Sequence, residues 1–389
     1  MDDNMENEIK LCFLSDSIFN WGRYGGYGKL TRDLGRELAK RGFPVSVAIP
    51  KSSNQRIFER LDGMKIIGYP KLPSKTQYLS FFLTYRFLID ADIFHSTGES
   101  IFSYIAIKSR PGKRHIITLQ DPRDDNDWKV IYTVPGTTDK KTLEVWKDDT
   151  ETFEIGTKTL FRRIREKMEY KAVKQADALY CQAKYLGEKV RNMYNLDHKP
   201  EFLPNPIYIP EHEIQKSGKP TVCFLGRLDI IKRPWIFFNL AKEFPEIDFI
   251  VMGKSHYPQI TEEIYNAYSR IKNLEFKGWS LGEEKSKILG RSWILINTSI
   301  HECLPISFLE ALSYKCALLS CQDPDNLTSK YGIKTDLYDF DSFKDGLNKL
   351  IENNHWKKKG ELGYQYVKKI HEVNKVIDKH IKIYENVLR

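Results

Sequence analysis

His301-Glu302-Cys303-Leu304-Pro305-Ile306-Ser307-Phe308-Leu309-Glu310-Ala311-Leu312 places two carboxylates, Glu302 and Glu310, eight positions apart on either side of a proline. Proline suits the first turn of a helix, where its missing N–H is not needed. Just upstream, Trp293-Ile294-Leu295-Ile296 has the continuous apolar character of a buried strand. The segment therefore reads as a strand, a short loop and a helix start. Backbone N–H groups at such a start are open to phosphate. Glu302 falls in the loop. Glu310 falls inside the helix, about two turns on. One acid can contact a sugar near the phosphates; the other can reach a more distant hydroxyl, such as that of a ribose.

The same strand–loop–helix pattern occurs upstream. Thr221-Val222-Cys223-Phe224-Leu225 reads as a strand and runs into Gly226-Arg227-Leu228-Asp229-Ile230-Ile231-Lys232-Arg233-Pro234. Arg227 and Lys232 stand at the strand tip. Arginine grips phosphate with a planar fork and lysine adds a point charge. Together they are suited to neutralise a diphosphate without a metal ion. Taken alone, the pair reads equally well as a solvated basic loop. Its repetition of the spacing around Glu302 and Glu310 favours a shared anion site.

Gly226-Arg227-Leu228 with Lys232, followed by Glu302 and Glu310-Ala311-Leu312, resembles the family 4 retaining glycosyltransferases of GT-B fold. The resemblance covers most of the chain. Leu11-Cys12-Phe13-Leu14, Gly25-Gly26-Tyr27-Gly28 and the helix through Leu38–Gly42 look like that family's first strand, glycine loop and first helix. Ala176-Asp177-Ala178-Leu179-Tyr180-Cys181 resembles the last core strand of its first domain. Pro204-Asn205-Pro206 resembles the opening of its interdomain linker.

The resemblance implies two doubly wound, Rossmann-like α/β domains facing across a cleft. It implies transfer of a sugar from a nucleotide-diphosphate donor, UDP- or GDP-linked, to a glycan, lipid-linked or protein-glycan acceptor. No metal and no resident cofactor are implied. Arg227 and Lys232 would hold the diphosphate, Glu310 the ribose, and Glu302 would lie beside the transferred sugar, with the backbone of Leu304, Pro305 and Ile306 around the sugar and phosphates. Gly25 and Gly26 would allow close approach to the diphosphate.

Two positions depart from the family pattern. Cys303-Leu304-Pro305 stands where small glycines often follow the first glutamate, so the sugar pocket is expected to differ. Gln120 stands where a histidine often follows the fifth strand; it can hydrogen-bond a sugar but cannot titrate. Gln120, Asp121 and His95 are the acceptor-side candidates. Three rival readings remain. They are a sugar phosphorylase, a catalytically inactive sugar-nucleotide-binding subunit of the same fold, and a basic nucleic-acid-binding protein.

The composition fits an ordinary globular chain. It has 389 residues, 41% of them hydrophobic and 29% charged, enough for two or three domains. A net charge of +9 favours acidic partners such as nucleotide phosphates or anionic lipid. The densest basic clusters, Arg162-Arg163-Ile164-Arg165 and Trp356-Lys357-Lys358-Lys359, read as solvated helix faces. No signature of a nucleic-acid-binding fold accompanies them. Six cysteines show no metal or disulfide spacing, which points to a reducing compartment. The acidic N-terminus is unlike a secretory signal, so a cytoplasmic location is expected, with peripheral membrane contact compatible with the charge. Tyr78–Ile89 comes closest to a membrane span. It is too short and holds Arg86, so it reads as a helix packed on a sheet, with a membrane-binding helix as the alternative.

Strand and helix patterns alternate through both halves. The expected division is 1–205, 206–370 and a final helix over 371–389, which the resemblance implies crosses back to the first domain. The stretch from Asp121 to Gly156 breaks the alternation. It carries Asp121, Asp124, Asp125, Asp127, Asp148 and Asp149, and reads as a long functional loop suited to acceptor binding. Its Asp125-Asn126-Asp127 also matches a metal-holding pattern, weakly.

Overall fold

The computed structural model describes residues 9–19, 21, 25–51, 54–70, 74–132 and 160–389. They form two α/β units. The first holds the described residues up to 122, 160–206 and 373–389; the second holds 123–132 and 207–372.

The first unit has strands β1 (Leu11–Leu14), β2 (Val45–Lys51), β3 (Phe58–Leu61), β4 (Met64–Pro70), β5 (Ile93–Ser96), β6 (Arg114–Leu119), β7 (Ala178–Cys181) and β8 (Glu201–Phe202). Helices α1 (Gly26–Lys40), α2 (Ser74–Leu83) and α3 (Ile101–Ser109) come first. Next in the chain is α4 (Asp125–Tyr132), which groups with the second unit, then α5 (Leu160–Gln175) and α6 (Leu186–Tyr194). The sheet order is β3-β4-β2-β1-β5-β6-β7-β8, parallel except for the β3–β4 hairpin. Period-two alternation splits β1 between two cores. Leu11 and Phe13 face a cluster with Leu30 and Leu34 of α1, and Cys12 and Leu14 face Phe81 of α2 and Ile105 of α3.

The second unit has β9 (Thr221–Leu225), β10 (Asp248–Met252), β11 (Leu274–Gly278), β12 (Ile294–Asn297), β13 (Ala317–Ser320) and β14 (Gly332–Lys334), all parallel, in the order β11-β10-β9-β12-β13-β14. Its helices are α7 (Pro234–Glu243), α8 (Pro258–Tyr268), α9 (Gly282–Arg291), α10 (Ile306–Ser313), α11 (Leu327–Tyr331), α12 (Phe340–Ile351) and α13 (His355–Ile370). The last helix, α14 (Val373–Leu388), packs in the first unit, where Val373, Ile377 and Tyr384 join the core around Leu11 and Phe13. Without its antiparallel β3, the first sheet runs 3-2-1-4-5-6-7 in chain order and the second runs 3-2-1-4-5-6, so both reverse at the same point. Open sheets of this order bind ligands beyond the strand ends where the order reverses. Those points are β1/β5 and β9/β12.

Two expectations need correction. The segment after Asp121 is not loop throughout, because Asp125–Tyr132 is helical. Asp124 Oδ1 accepts from the N–H groups of Asn126 (2.8 Å) and Asp127 (3.0 Å), so the aspartates cap the helix. Asp148 and Asp149 lie outside the described residues. Pro305 precedes α10 as its N-cap instead of standing in its first turn, and it has no N–H to offer phosphate. The helix-start donors are therefore Ile306 and Ser307. All six cysteines are buried, and none forms a disulfide. No described helix is long and apolar enough to cross a membrane.

Candidate functional site

The turn after β9 is drawn tight against the end of β10. Gly226 N–H donates to Met252 O (3.1 Å) and Leu228 N–H to Lys254 O (3.1 Å). A Cβ on Gly253 would meet the Gly226 carbonyl oxygen at 1.8 Å, so this approach needs glycine. Gly253→Ala should push the Arg227 turn outward. The expected result is a stability loss of about 1–3 kcal/mol, read from the urea midpoint.

Beyond Gly226, Asp229 caps a short 3₁₀ turn over Ile230–Lys232, its Oδ1 accepting from Lys232 N–H at 3.1 Å. Arg233 then takes the left-handed backbone (φ +45°), which releases the chain into α7 at Pro234. Its guanidinium is buried, 2% exposed, and donates to Thr298 O (2.7 Å), Leu337 O (2.6 Å) and Cys321 Sγ (3.3 Å). Thr298 Oγ1 in turn donates to Lys232 O at 2.6 Å, and Ile300 N–H to Ile231 O at 2.8 Å. These bonds clamp the loop leaving β9 to the loop leaving β12.

The clamp brings Lys232 to Glu302. Lys232 Nζ donates to Glu302 Oε1 at 2.5 Å, and the same oxygen accepts from Ser299 Oγ (2.6 Å) and Asn297 Nδ2 (3.3 Å). Burial pushes the Glu302 carboxyl up, but the Lys232 charge and these bonds outweigh it and leave its pKa below the ordinary value. Glu302 is therefore an ionised carboxylate at neutral pH. Arg227, at the outer edge, ion-pairs with Asp229 Oδ2 at 3.1 Å and meets His256 Nε2 at 2.9 Å. Glu310, on α10, accepts from Lys285 Nζ of α9 at 2.7 Å. Each of the three site cations thus has a carboxylate partner. Arg233 differs, since its described hydrogen bonds reach only carbonyls and a thiol. Burial lowers its pKa, yet a guanidinium stays charged. The β9/β12 strand ends accordingly hold a buried positive charge beside the paired groups, an arrangement that attracts an anion.

Arg227, Lys232, Glu302 and Glu310 all belong to the second unit, with Leu304, Pro305 and Ile306 on the loop into α10. The first unit holds Gly25, Gly26, Gln120, Asp121 and His95. Gly25 precedes α1 with nothing near a would-be Cβ, and at Gly28 a Cβ would lie 2.9 Å from Ser17 Oγ. Gln120 is locked in an amide network. It exchanges hydrogen bonds with Asn205 (3.3 and 3.4 Å), and Asn205 Nδ2 donates to Gln182 Oε1 at 2.7 Å. Asp121 sits half-buried in the turn after β6. His95 is 1% exposed, and its Nδ1 and Nε2 lie 2.8 Å from Tyr384 Oη and Thr118 Oγ1. Both ring nitrogens are occupied, so His95 fastens α14 to β5 and leaves no nitrogen for an acceptor. Burial, then nearby His380, hold its pKa well below the ordinary value.

Sequence reasoning passed over Asn297, Ser299, Lys285, Arg233 and Glu99. Glu99 follows β5, and its Oε2 is buried with no hydrogen-bond partner among the described residues. Burial raises its carboxyl to about 8; Asp121 and Glu169 add to the rise, against backbone hydrogen bonds. A folded pKa above the unfolded value means the unfolded chain releases this proton first. The penalty on folding is absent at pH 4, grows as pH rises past about 4.5 and levels off above about 8. Glu99→Gln, which mimics the neutral acid, should stabilise the protein by on the order of 3 kcal/mol at pH 8 and not at pH 4, read from urea midpoints at both pH values.

Residues 24–209 match the family model described as Glycosyltransferase Family 4, and residues 209–368 match Glycosyl transferases group 1. No curated protein sequence matches the chain. Among solved structures, the chain is similar to sucrose-phosphate synthase from Thermosynechococcus elongatus, with 13% identity and a TM-score of 0.74 over 98% of this chain and 99% of that one. It is also similar to HepE of Anabaena in complex with UDP-glucose (12%, 0.68, 97% and 100%). A third is the catalytic domain of starch synthase IV from Arabidopsis thaliana bound to ADP and acarbose (14%, 0.63, 98% and 100%).

Proposed function

The chain belongs to the family 4-like glycosyltransferases of GT-B fold, and from that premise we propose a specific reaction. The protein transfers a hexose from a nucleoside diphosphate donor, UDP- or GDP-linked, to a hydroxyl of a glycan or glycoconjugate acceptor. The anomeric configuration is retained and no metal takes part. The carrying observation is the cluster of Arg227, Lys232 and Glu302 at the strand-order reversal of the second unit. As the acceptor oxygen bonds to the anomeric carbon, the bond from that carbon to the diphosphate oxygen breaks, charge builds on the leaving group, and the acceptor's hydroxyl proton passes to the departing phosphate oxygen. Arg227 and Lys232 meet that charge. Lys232 has three N–H donors, so it can hold Glu302 and a phosphate oxygen together. The Ile306 and Ser307 N–H groups and the buried Arg233 charge add to the anion's stabilisation. Glu302 accepts from the transferred sugar. Glu310 keeps one carboxylate oxygen for the ribose while Lys285 holds the other. The nucleotides named for HepE and for starch synthase IV support a nucleotide-sugar donor.

The test is calorimetric titration with UDP, GDP and ADP, first without metal and then with Mg²⁺. One nucleotide should bind selectively without metal, and Glu310→Ala should weaken it by about tenfold. A donor sugar of that base should then be consumed. Binding to none of the three under either condition would overturn the proposal. Binding without any donor consumption would leave the inactive-subunit reading in its place.

A further inference from the structure

The first unit carries an apolar surface that its own packing does not use. On one face of the sheet, α2 buries Phe81, and the π-helical turn that follows it, Thr84–Leu88, buries Tyr85. The opposite side of the same fifteen-residue stretch exposes Leu79 (58%), Phe82 (36%), Leu83 (43%), Phe87 (72%) and Leu88 (40%). Their positions advance by three or four residues and then repeat a turn on, which is the helical stripe. A helix apolar on both sides belongs in a core or against a membrane. Arg86 lies exposed within the stripe.

The adjoining helices supply the charge. α2 packs on α3 and α3 on α5, so the three form one layer. The sequence of α5 holds six cations against two acids, and Arg163, Arg165, Lys167, Lys171 and Lys174 are exposed along it. An exposed apolar stripe beside a basic helix is how a protein lies in a bilayer interface, with apolar groups in the acyl boundary and cations on anionic headgroups. We propose that this α2–α3–α5 layer docks the protein on an anionic lipid bilayer. Pairing of two copies through the same face would bring two basic helices together, a like-charge arrangement that opposes it. The net charge of +9 acts in the same direction as the lipid reading.

The test is sedimentation of the full chain with vesicles of phosphatidylcholine alone or mixed with phosphatidylglycerol. Binding should require the anionic lipid and weaken with salt. The triple change Leu79→Ser, Leu83→Ser and Phe87→Ser should weaken it by roughly tenfold or more, as should Arg163→Glu with Arg165→Glu and Lys167→Glu. All these side chains are exposed, so circular dichroism and nucleotide binding should not change. Phe87→Ser alone provides a milder variant. Lys232→Ala should keep vesicle binding, so failure here and failure of the donor site are told apart. No binding to anionic vesicles overturns the proposal. So does binding that neither set of substitutions alters, or a wild-type dimer that Phe87→Ser dissociates.

Discussion

Lys232→Ala should lower the rate of donor consumption by roughly 100- to 1000-fold and nucleoside diphosphate affinity by at least about tenfold. Two effects act in the same direction. The substitution removes an ammonium from the strand end where the leaving charge would develop. It also strands Glu302, whose buried carboxylate is held ionised chiefly by the Lys232 charge 2.5 Å away. Without that cation the carboxylate repels an incoming phosphate, or takes a proton and no longer accepts from the sugar. Glu302→Gln keeps the shape and removes the negative charge, so it separates the two effects. Lys232→Ala with Glu302→Gln should recover part of the binding that Lys232→Ala loses, but not the turnover. Calorimetry and a donor-consumption assay on the three variants check this. Equal turnover in Lys232→Ala and wild type would remove Lys232 from the chemistry.

Arg233→Ala should destabilise the second unit by about 3 kcal/mol. It leaves the carbonyls of Thr298 and Leu337 buried without their donor, each worth on the order of 1–3 kcal/mol. Loss of a buried charge returns part of that, because taking a guanidinium out of water is itself costly. The bonds decide the sign, since the vacated space is lined by polar oxygens. Arg233→Gly separates the backbone contribution. The residue sits at φ +45°, where glycine is favoured over alanine by about 1 kcal/mol. Arg233→Gly should therefore be less destabilised than Arg233→Ala, and both should bind nucleotide more weakly than wild type because the Lys232 and Thr298 loops lose their clamp. Urea unfolding followed by tryptophan fluorescence measures the first effect, with Trp235, Trp279, Trp293 and Trp356 all in this unit. Identical midpoints for wild type and both variants would show that the clamp contributes nothing.

Two features of the fold are legible in local signals that the alternation of apolar runs does not use. Asp62-Gly63 is a hairpin turn signal. Both residues have positive φ (51° and 83°) and join β3 to β4, a strand pair the apolar pattern alone does not announce because β3 is largely exposed. The run Asp124–Asp127 reads as a helix cap once the N–H groups that need acceptors are counted.

By itself the sequence determined the two α/β units and the strand–loop–helix segments that carry Arg227, Lys232, Glu302 and Glu310. Strand and helix periodicity, and polar residues placed just after apolar runs, are local properties. Only the tertiary structure decided the partners. It paired Lys232 with Glu302 and Lys285 with Glu310, made Arg233 a clamp across two loops and turned His95 into a fastener for α14. These outcomes depend on which distant segments meet at a buried strand end, where every polar group must find a partner. Nothing in the spacing of one segment specifies that.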